Sequence, residues 1–270
     1  SGVGLSMARG LCRLGAKTVF LSRDAEIGRE TEKIIRNKIP DCDIESMPCD
    51  LSDITDINRF ADEFLTRFDS LDVLSCNAAV LLPSRKLSKQ GIEMTFMVNY
   101  LSHFILAERL LPLLKNTDGS RLLTVSGQPA VIKRAVLDID DLNSEENYSA
   151  LKATLMTALA KVLFTFEFSE RFQEYGIIAN TFHPGLIKSG LGRNLPLFFK
   201  PFFSIASLFF SRDTKTGLYL AASPEVSGIS GRIFSGCKPR RFKEPFCGQV
   251  PLRKLLWEKS LEFSGQQKND

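Results

Sequence analysis

The chain has 270 residues, 44% hydrophobic and 24% charged, which is enough apolar material for a large buried core. Its 35 Lys and Arg against 31 Asp and Glu leave a net charge of only +4, too small and too dispersed for a nucleic-acid partner. Six cysteines without a C-x-x-C pair, two histidines (His103, His183) and the absence of any run of about 18 apolar residues argue against a zinc site, a disulfide framework and a membrane span, and favour a reducing, cytoplasmic compartment.

Taken in order, residues 4–14 have the spacing of an amphipathic helix, and the apolar run 18–22 reads as a strand. A charged helix is expected over 25–37 and a strand over 43–48, ending at Cys49, Asp50 and Leu51. Ser52 or Asp53 is suited to cap the next helix, which carries Ile57, Phe60, Phe64 and Phe68 on one face. A strand at 71–75 precedes a loop and a long helix over 91–114, then a continuous apolar strand at 122–125, as in a sheet covered on both faces. A helix over 151–175, a strand at 177–182, a helix at 214–222 and a strand at 231–234 complete the alternation. Such spacing predicts a single domain over 1–270 built on a doubly wound, Rossmann-like parallel sheet. The basic cluster Lys238, Arg240, Arg241 and Lys243 reads as a solvated face.

Six stretches occur in the order of one known family: Ser1-Gly2-Val3-Gly4, Leu21-Ser22-Arg23-Asp24, Cys49-Asp50-Leu51, Cys76-Asn77-Ala78-Ala79, the run from Val98 through Asn99 to Phe104, and His183-Pro184-Gly185. Together they resemble the short-chain dehydrogenase/reductase family, in its retinol-dehydrogenase-like branch, over nearly the whole chain. The resemblance implies a nicotinamide cofactor. Gly2 and Gly4 would bring a tight turn and a helix N-terminus to the pyrophosphate, with Ser1 and Val3 in the same loop. Arg23, at the end of the second family strand, would pair a 2′-phosphate, so NADP(H) is expected ahead of NAD(H). Asp50 and Leu51 fall where the family meets adenine, and Asn77-Ala78 in the turn beside the cofactor. Pro184, Gly185 and Ser189 match the loop at the nicotinamide amide. Asn99 matches the family asparagine of the proton relay.

The family's chemistry needs a serine, a tyrosine that moves the proton, and a lysine four residues later. After strand 122–125 the chain has Ser126-Gly127, so the serine position falls on Gly127. A Tyr148–Lys152 pair has the required spacing, but the gapless run from Lys161 to Gly185 puts the tyrosine position at Thr154 and the lysine position at Ala158. Tyr148 and Lys152 lie six residues upstream, about 240° round the helix and ~9 Å along it. Lys161 lies about 60° from the lysine direction. The expectation is therefore an oxidoreductase-like chain that is catalytically impaired. The alternatives are an active enzyme using Tyr148 and Lys152, or a non-enzymatic interaction protein.

Residues 190–212 are phenylalanine-rich, including Phe198, Phe199, Phe202, Phe203, Phe209 and Phe210. By the resemblance this is a lid over the substrate cleft, implying a retinoid, steroid or other lipid alcohol or carbonyl. The same stretch is suited to a peripheral membrane surface or a homodimer contact, with dimerisation through the two long helices as the family's expectation. The resemblance also places a central first strand and the opening of the phosphate loop ahead of Ser1, so 1–270 is expected to be N-terminally incomplete.

Overall fold

The structure, a computed structural model, describes residues 2–185, 214–240 and 250–265. Strands and helices alternate largely where the hydrophobic periodicity places them. The first half contains α1 (Gly2–Arg13), β1 (Thr18–Ser22), α2 (Ala25–Arg36), β2 (Ile44–Pro48), α3 (Ile54–Arg67) and β3 (Val73–Cys76). Asp24 caps α2 by accepting from the N–H groups of Glu26 and Ile27, and Asp53 caps α3 through Thr55. On α3 the stripe Ile57, Phe60 and Phe64 is buried, while Phe68 ends the helix in extended backbone with its ring 4.4 Å from that of Phe64.

The helix expected over 91–114 forms in pieces: α4 (Met94–Phe96), a π-helical turn (Met97–Leu101), α5 (Ser102–Arg109) and α6 (Leu111–Lys115). Glu93 starts it, its carboxylate accepting from the N–H groups of Thr95 and Phe96. Pro112 has no N–H to continue the ladder, which breaks at Leu110. The π-turn carries Asn99; such single-turn bulges re-aim side chains and recur at functional sites.

Then follow β4 (Arg121–Val125), α7 (Pro129–Ile132), α8 (Ala150–Arg171), β5 (Ile178–His183), α9 (Lys215–Ala222), β6 (Arg232–Ser235), β7 (Lys238–Arg240) and α10 (Val250–Ser264). Strands β3, β4, β5 and β6 are parallel neighbours in that order. β7 departs from the all-parallel expectation: it returns antiparallel to β6 across a two-residue turn in which Gly236 and Cys237 both have positive φ, 62° and 58°. β1 and β2 form a separate parallel pair. Among the described residues no ladder joins β1 to β3, and a cavity lies between them.

The core packs α3, α5 and α8 against the sheet. Residues Leu159–Ser169 of α8 are buried without a break, because β4 and β5 cover one side of the helix and α10 covers the other. Trp257 of α10 lies 5.0 Å from Phe104 and 5.9 Å from Phe164, ring centre to ring centre, with the Arg171 guanidinium 4.5 Å above it. Arg253 of α10, itself buried, bonds Glu170 of α8 at 2.7 Å.

Candidate cofactor and catalytic site

A cavity is lined by the loops at the carboxyl ends of β1, β3 and β4. Loops after successive strands converge there, the place where open α/β sheets bind ligands. Gly2, Val3 and Gly4 at the start of α1, Arg23 after β1, Asp50 and Leu51 after β2, Asn77 and Ala78 after β3, and Pro184 and Gly185 after β5 all line it. Ser1, Ser189 and the phenylalanine-rich stretch 190–212 lie outside the described residues.

Local hydrogen bonds shape these loops. Gly2 has a φ of 70°, a conformation that favours glycine, and a Cβ on Gly4 would sit 3.7 Å from the Asn77 Cβ, so the start of α1 runs close to the turn after β3. The Asp50 carboxylate accepts from the Ser52 N–H at 3.0 Å and its hydroxyl at 2.7 Å, tightening the turn after β2. Asn77 donates to the Ser75 carbonyl at 2.8 Å. Arg23 is exposed at the cavity rim. Asn99 is 1% exposed and clamps the loop after β3: its Oδ1 accepts from the Val80 N–H at 2.7 Å and its Nδ2 donates to the Val80 carbonyl at 3.0 Å. A longer contact, 3.5 Å, reaches the Thr157 hydroxyl on α8.

The positions assigned to proton transfer face the same cavity. Gly127, Thr154 and Ala158 all line it. Gly127 has no side chain, and Ala158 offers a methyl group. Thr154 donates its hydroxyl proton to the Ala150 carbonyl at 2.7 Å. Ser126, the remaining hydroxyl after β4, is 6% exposed.

Tyr148 and Lys152 do not line the cavity. The Tyr148 hydroxyl donates to the Leu82 carbonyl at 2.9 Å and lies 3.4 Å from that of Thr95. Burial raises its pKa above the ordinary tyrosine value. Lys152 projects into solvent from the first turn of α8. Tyr148 thus ties the entrance of α8 to Leu82, while Lys152 stays on the solvated face.

The structure adds a cluster that the motif search did not assemble. Lys161, His103 and Cys76 line the inner wall of the cavity, at 4%, 1% and 3% exposure. Burial lowers the Lys161 pKa to about 8 and pushes the Cys76 thiol up to about 12. His103 is held well below its usual value, chiefly by burial and further by the Lys161 charge. The sequence puts Lys161 on one helix face with Thr154 and Thr165, at i, i+7 and i+11, but carries no sign that His103 and Cys76 join it. Among the described residues no group of three or more His, Cys, Asp or Glu side chains is arranged to hold a metal.

A mostly parallel sheet with a cavity at its strand ends, rimmed by a glycine-rich helix start, defines a doubly wound, Rossmann-like α/β protein. Residues 1–197 match the short chain dehydrogenase family, and the chain belongs to that family, in its retinol-dehydrogenase-like branch. Human (Homo sapiens) retinol dehydrogenase 14 is 33% identical over 277 residues, covering 96% of this chain and 82% of its own length. Human polyprenol dehydrogenase is 29% identical over 276 residues, covering 98% and 82%. Among solved structures, an uncharacterized protein from Mycobacterium paratuberculosis superposes with a TM-score of 0.74 at 24% identity, covering 98% of this chain and 90% of that one. An NADPH-bound short chain oxidoreductase from Pseudomonas aeruginosa PAO1, described as containing an atypical catalytic center, gives 0.65 at 18% identity over 87% and 90%. These two likenesses concern the fold.

Proposed function

We propose that this chain is an NADP(H)-binding member of the family whose own oxidoreductase activity on a lipophilic alcohol or carbonyl is slow. The observation that carries the reading is the placement of Gly127, Thr154 and Ala158 around the cavity that the cofactor-type loops also line. The residues present fit a dinucleotide: a helix start with backbone N–H groups for the pyrophosphate, Arg23 at the rim for a 2′-phosphate, and Asp50 for the adenine end. When bound, the nicotinamide supplies the hydride. The chain orients the site through the Asn99 clamp on Val80. In place of a tyrosine it offers Thr154, an alcohol far too weak an acid at neutral pH, whose proton is engaged with Ala150.

A lipophilic substrate is supported by the names of the relatives, retinol and polyprenol dehydrogenases, and by the phenylalanines of 190–212. The same stretch is the element assigned to peripheral membrane contact. Among the described residues no helix is long and apolar enough to cross a membrane.

The test is fluorescence titration with NADPH and NADH. NADPH is expected to bind more tightly, and Arg23→Ala to cost roughly 10- to 100-fold in its affinity, the worth of a charge-assisted hydrogen bond. Equal affinity for both cofactors in the parent chain would remove the NADP(H) assignment. The active-enzyme reading rests on Tyr148, and loss of turnover in Tyr148→Phe would restore it. Failure to bind either cofactor would favour the interaction-protein reading.

A further inference from the structure

Two of the described cysteines are neighbours, and neither lines the cavity. Cys12 lies on the last turn of α1 and Cys42 on the loop between α2 and β2. They are 4% and 6% exposed and share one small apolar cluster with Ala8, Ile35 and Ile44. Burial is the largest influence on the Cys12 thiol and raises its pKa; Thr18 opposes this, and the Cys42 thiol is close enough to raise it further. The other described cysteines are placed elsewhere. Cys49 donates to the Asp56 carbonyl at 3.9 Å, Cys76 ends β3, and Cys237 turns the chain from β6 to β7.

Backbone bonds bring the two segments together. After α1 the chain reverses through Ala16, whose N–H donates to the Leu11 carbonyl at 3.1 Å. Thr18 then opens β1 by donating to the carbonyl of Asp43, the residue after Cys42, at 2.8 Å. From the other side, Arg36 donates to the Cys42 carbonyl at 3.1 Å and also to that of Ile44. Around Cys42 the loop is at the surface: Pro40, Asp41 and Asp43 are exposed, while the thiol is tucked beneath them. Asp41 takes a φ of 65°, the tight conformation that turns the chain there. Exposed loops of this kind open locally at low cost, which gives a small oxidant access to Cys42 first.

We propose that Cys12 and Cys42 form a redox modification site, a dithiol that closes to a disulfide by exchange with a low-molecular-weight disulfide. In a reducing compartment the pair rests as two free thiols, the state the structure records. The Cys42 thiolate attacks one sulfur of the small disulfide, whose S–S bond breaks and releases one thiolate. Cys12, as thiolate, then attacks the Cys42 sulfur of the mixed disulfide and expels the second. Each protein thiol gives its proton to a released thiolate, so dithiol plus small disulfide become protein disulfide plus two small thiols. The protein pair is oxidised by two electrons and the small disulfide is reduced by two. The new bond ties the end of α1, the helix whose start carries Gly2 and Gly4, to the loop ahead of β2. It does not depend on cofactor binding.

The experiment equilibrates the full chain in buffers of graded oxidised-to-reduced glutathione ratio, blocks remaining thiols with iodoacetamide, and reads intact mass and non-reducing peptide maps. The expected product is a chain lighter by two hydrogens with a Cys12–Cys42 cross-link, reopened by dithiothreitol. Closing a loop of this size should raise the Tm of the oxidised chain by roughly 5–10 °C over the reduced one. Cys12→Ser removes the resolving thiol, so oxidation should stop at a glutathione adduct on Cys42. A cross-link between other cysteines, a glutathione adduct on Cys42 that never resolves in the parent chain, or no oxidation at this pair would overturn the proposal. So would a Cys12–Cys42 bond that lowers Tm, since it would mean the fold must yield to form it. The map of the parent chain decides the pairing without any variant. NADPH titration of the same samples keeps the claims apart: a cross-linked chain that binds no NADPH supports this site while refuting the cofactor reading.

Discussion

If the proton-transfer groups are missing from a site that otherwise stands, returning them should return activity. The perturbation is the triple substitution Gly127→Ser, Thr154→Tyr, Ala158→Lys. Positions 154 and 158 are half-buried on the cavity wall, so the longer side chains enter open space. At Gly127 an added Cβ would lie 3.1 Å from the Ile132 Cδ1, the far end of a flexible side chain that has to give by a few tenths of an ångström. Thr154→Tyr also removes a hydrogen bond from the Thr154 hydroxyl to the Ala150 carbonyl, a loss of about 1 kcal/mol in stability. General acid–base help is worth about 10²–10⁴-fold, or ~3–5 kcal/mol of barrier. The expected outcome is a rise of that order in the single-turnover rate of NADPH oxidation against retinal, with little change in NADPH affinity. A folded, NADPH-binding triple variant with no gain in rate would refute the assignment of these positions.

Lys161→Met should stabilise the protein. The folded-state pKa of about 8 lies below the ordinary 10.5, so the charged form is disfavoured in the fold and the parent chain gains stability as pH rises from 8 to 10.5. The difference is at most roughly 3 kcal/mol at neutral pH, and urea melts of the two chains should converge toward pH 10.5. Asp53 has the opposite sign: hydrogen bonds from Lys89, then Gln90, lower its pKa to about 2, so its contribution is present above pH 4 and is lost as pH falls toward 2. Lys89→Ala should therefore shift acid unfolding to higher pH, read by circular dichroism. Trp257→Ala empties the centre of the aromatic cluster and should cost ~3–5 kcal/mol in a denaturant melt.

Much of the fold was legible because strands covered on both faces are continuous apolar runs, as at Leu122–Leu123, and because Asp24 and Asp53 announce helix starts. The elements it did not announce include α10 and β7. In α10 the buried stripe is Arg253, Leu256, Trp257, Ser260, Leu261 and Ser264, half of it polar, so its periodicity does not read as a core face. Ser260 is there for a hydrogen bond, 2.7 Å from the Tyr100 hydroxyl, and Arg253 for Glu170. In β7 all three residues are exposed, and the strand forms only because the Gly236-Cys237 turn folds it back. The site divided in the same way. Loop residues at strand ends could be placed by order alone. The Tyr148–Lys152 spacing misleads until the helix register is fixed from its far end. Lys161 needed the third dimension, since only packing brings it beside His103 and Cys76 on the cavity wall.

The central claim is a retained cofactor site beside dismantled proton-transfer chemistry, and one paired measurement tests it directly: NADPH binding by fluorescence with single-turnover oxidation against retinal in the same sample. Tight NADPH binding with slow oxidation, unaffected by Tyr148→Phe, is the predicted result. Fast oxidation that Tyr148→Phe abolishes, or no binding of NADPH at all, would contradict it.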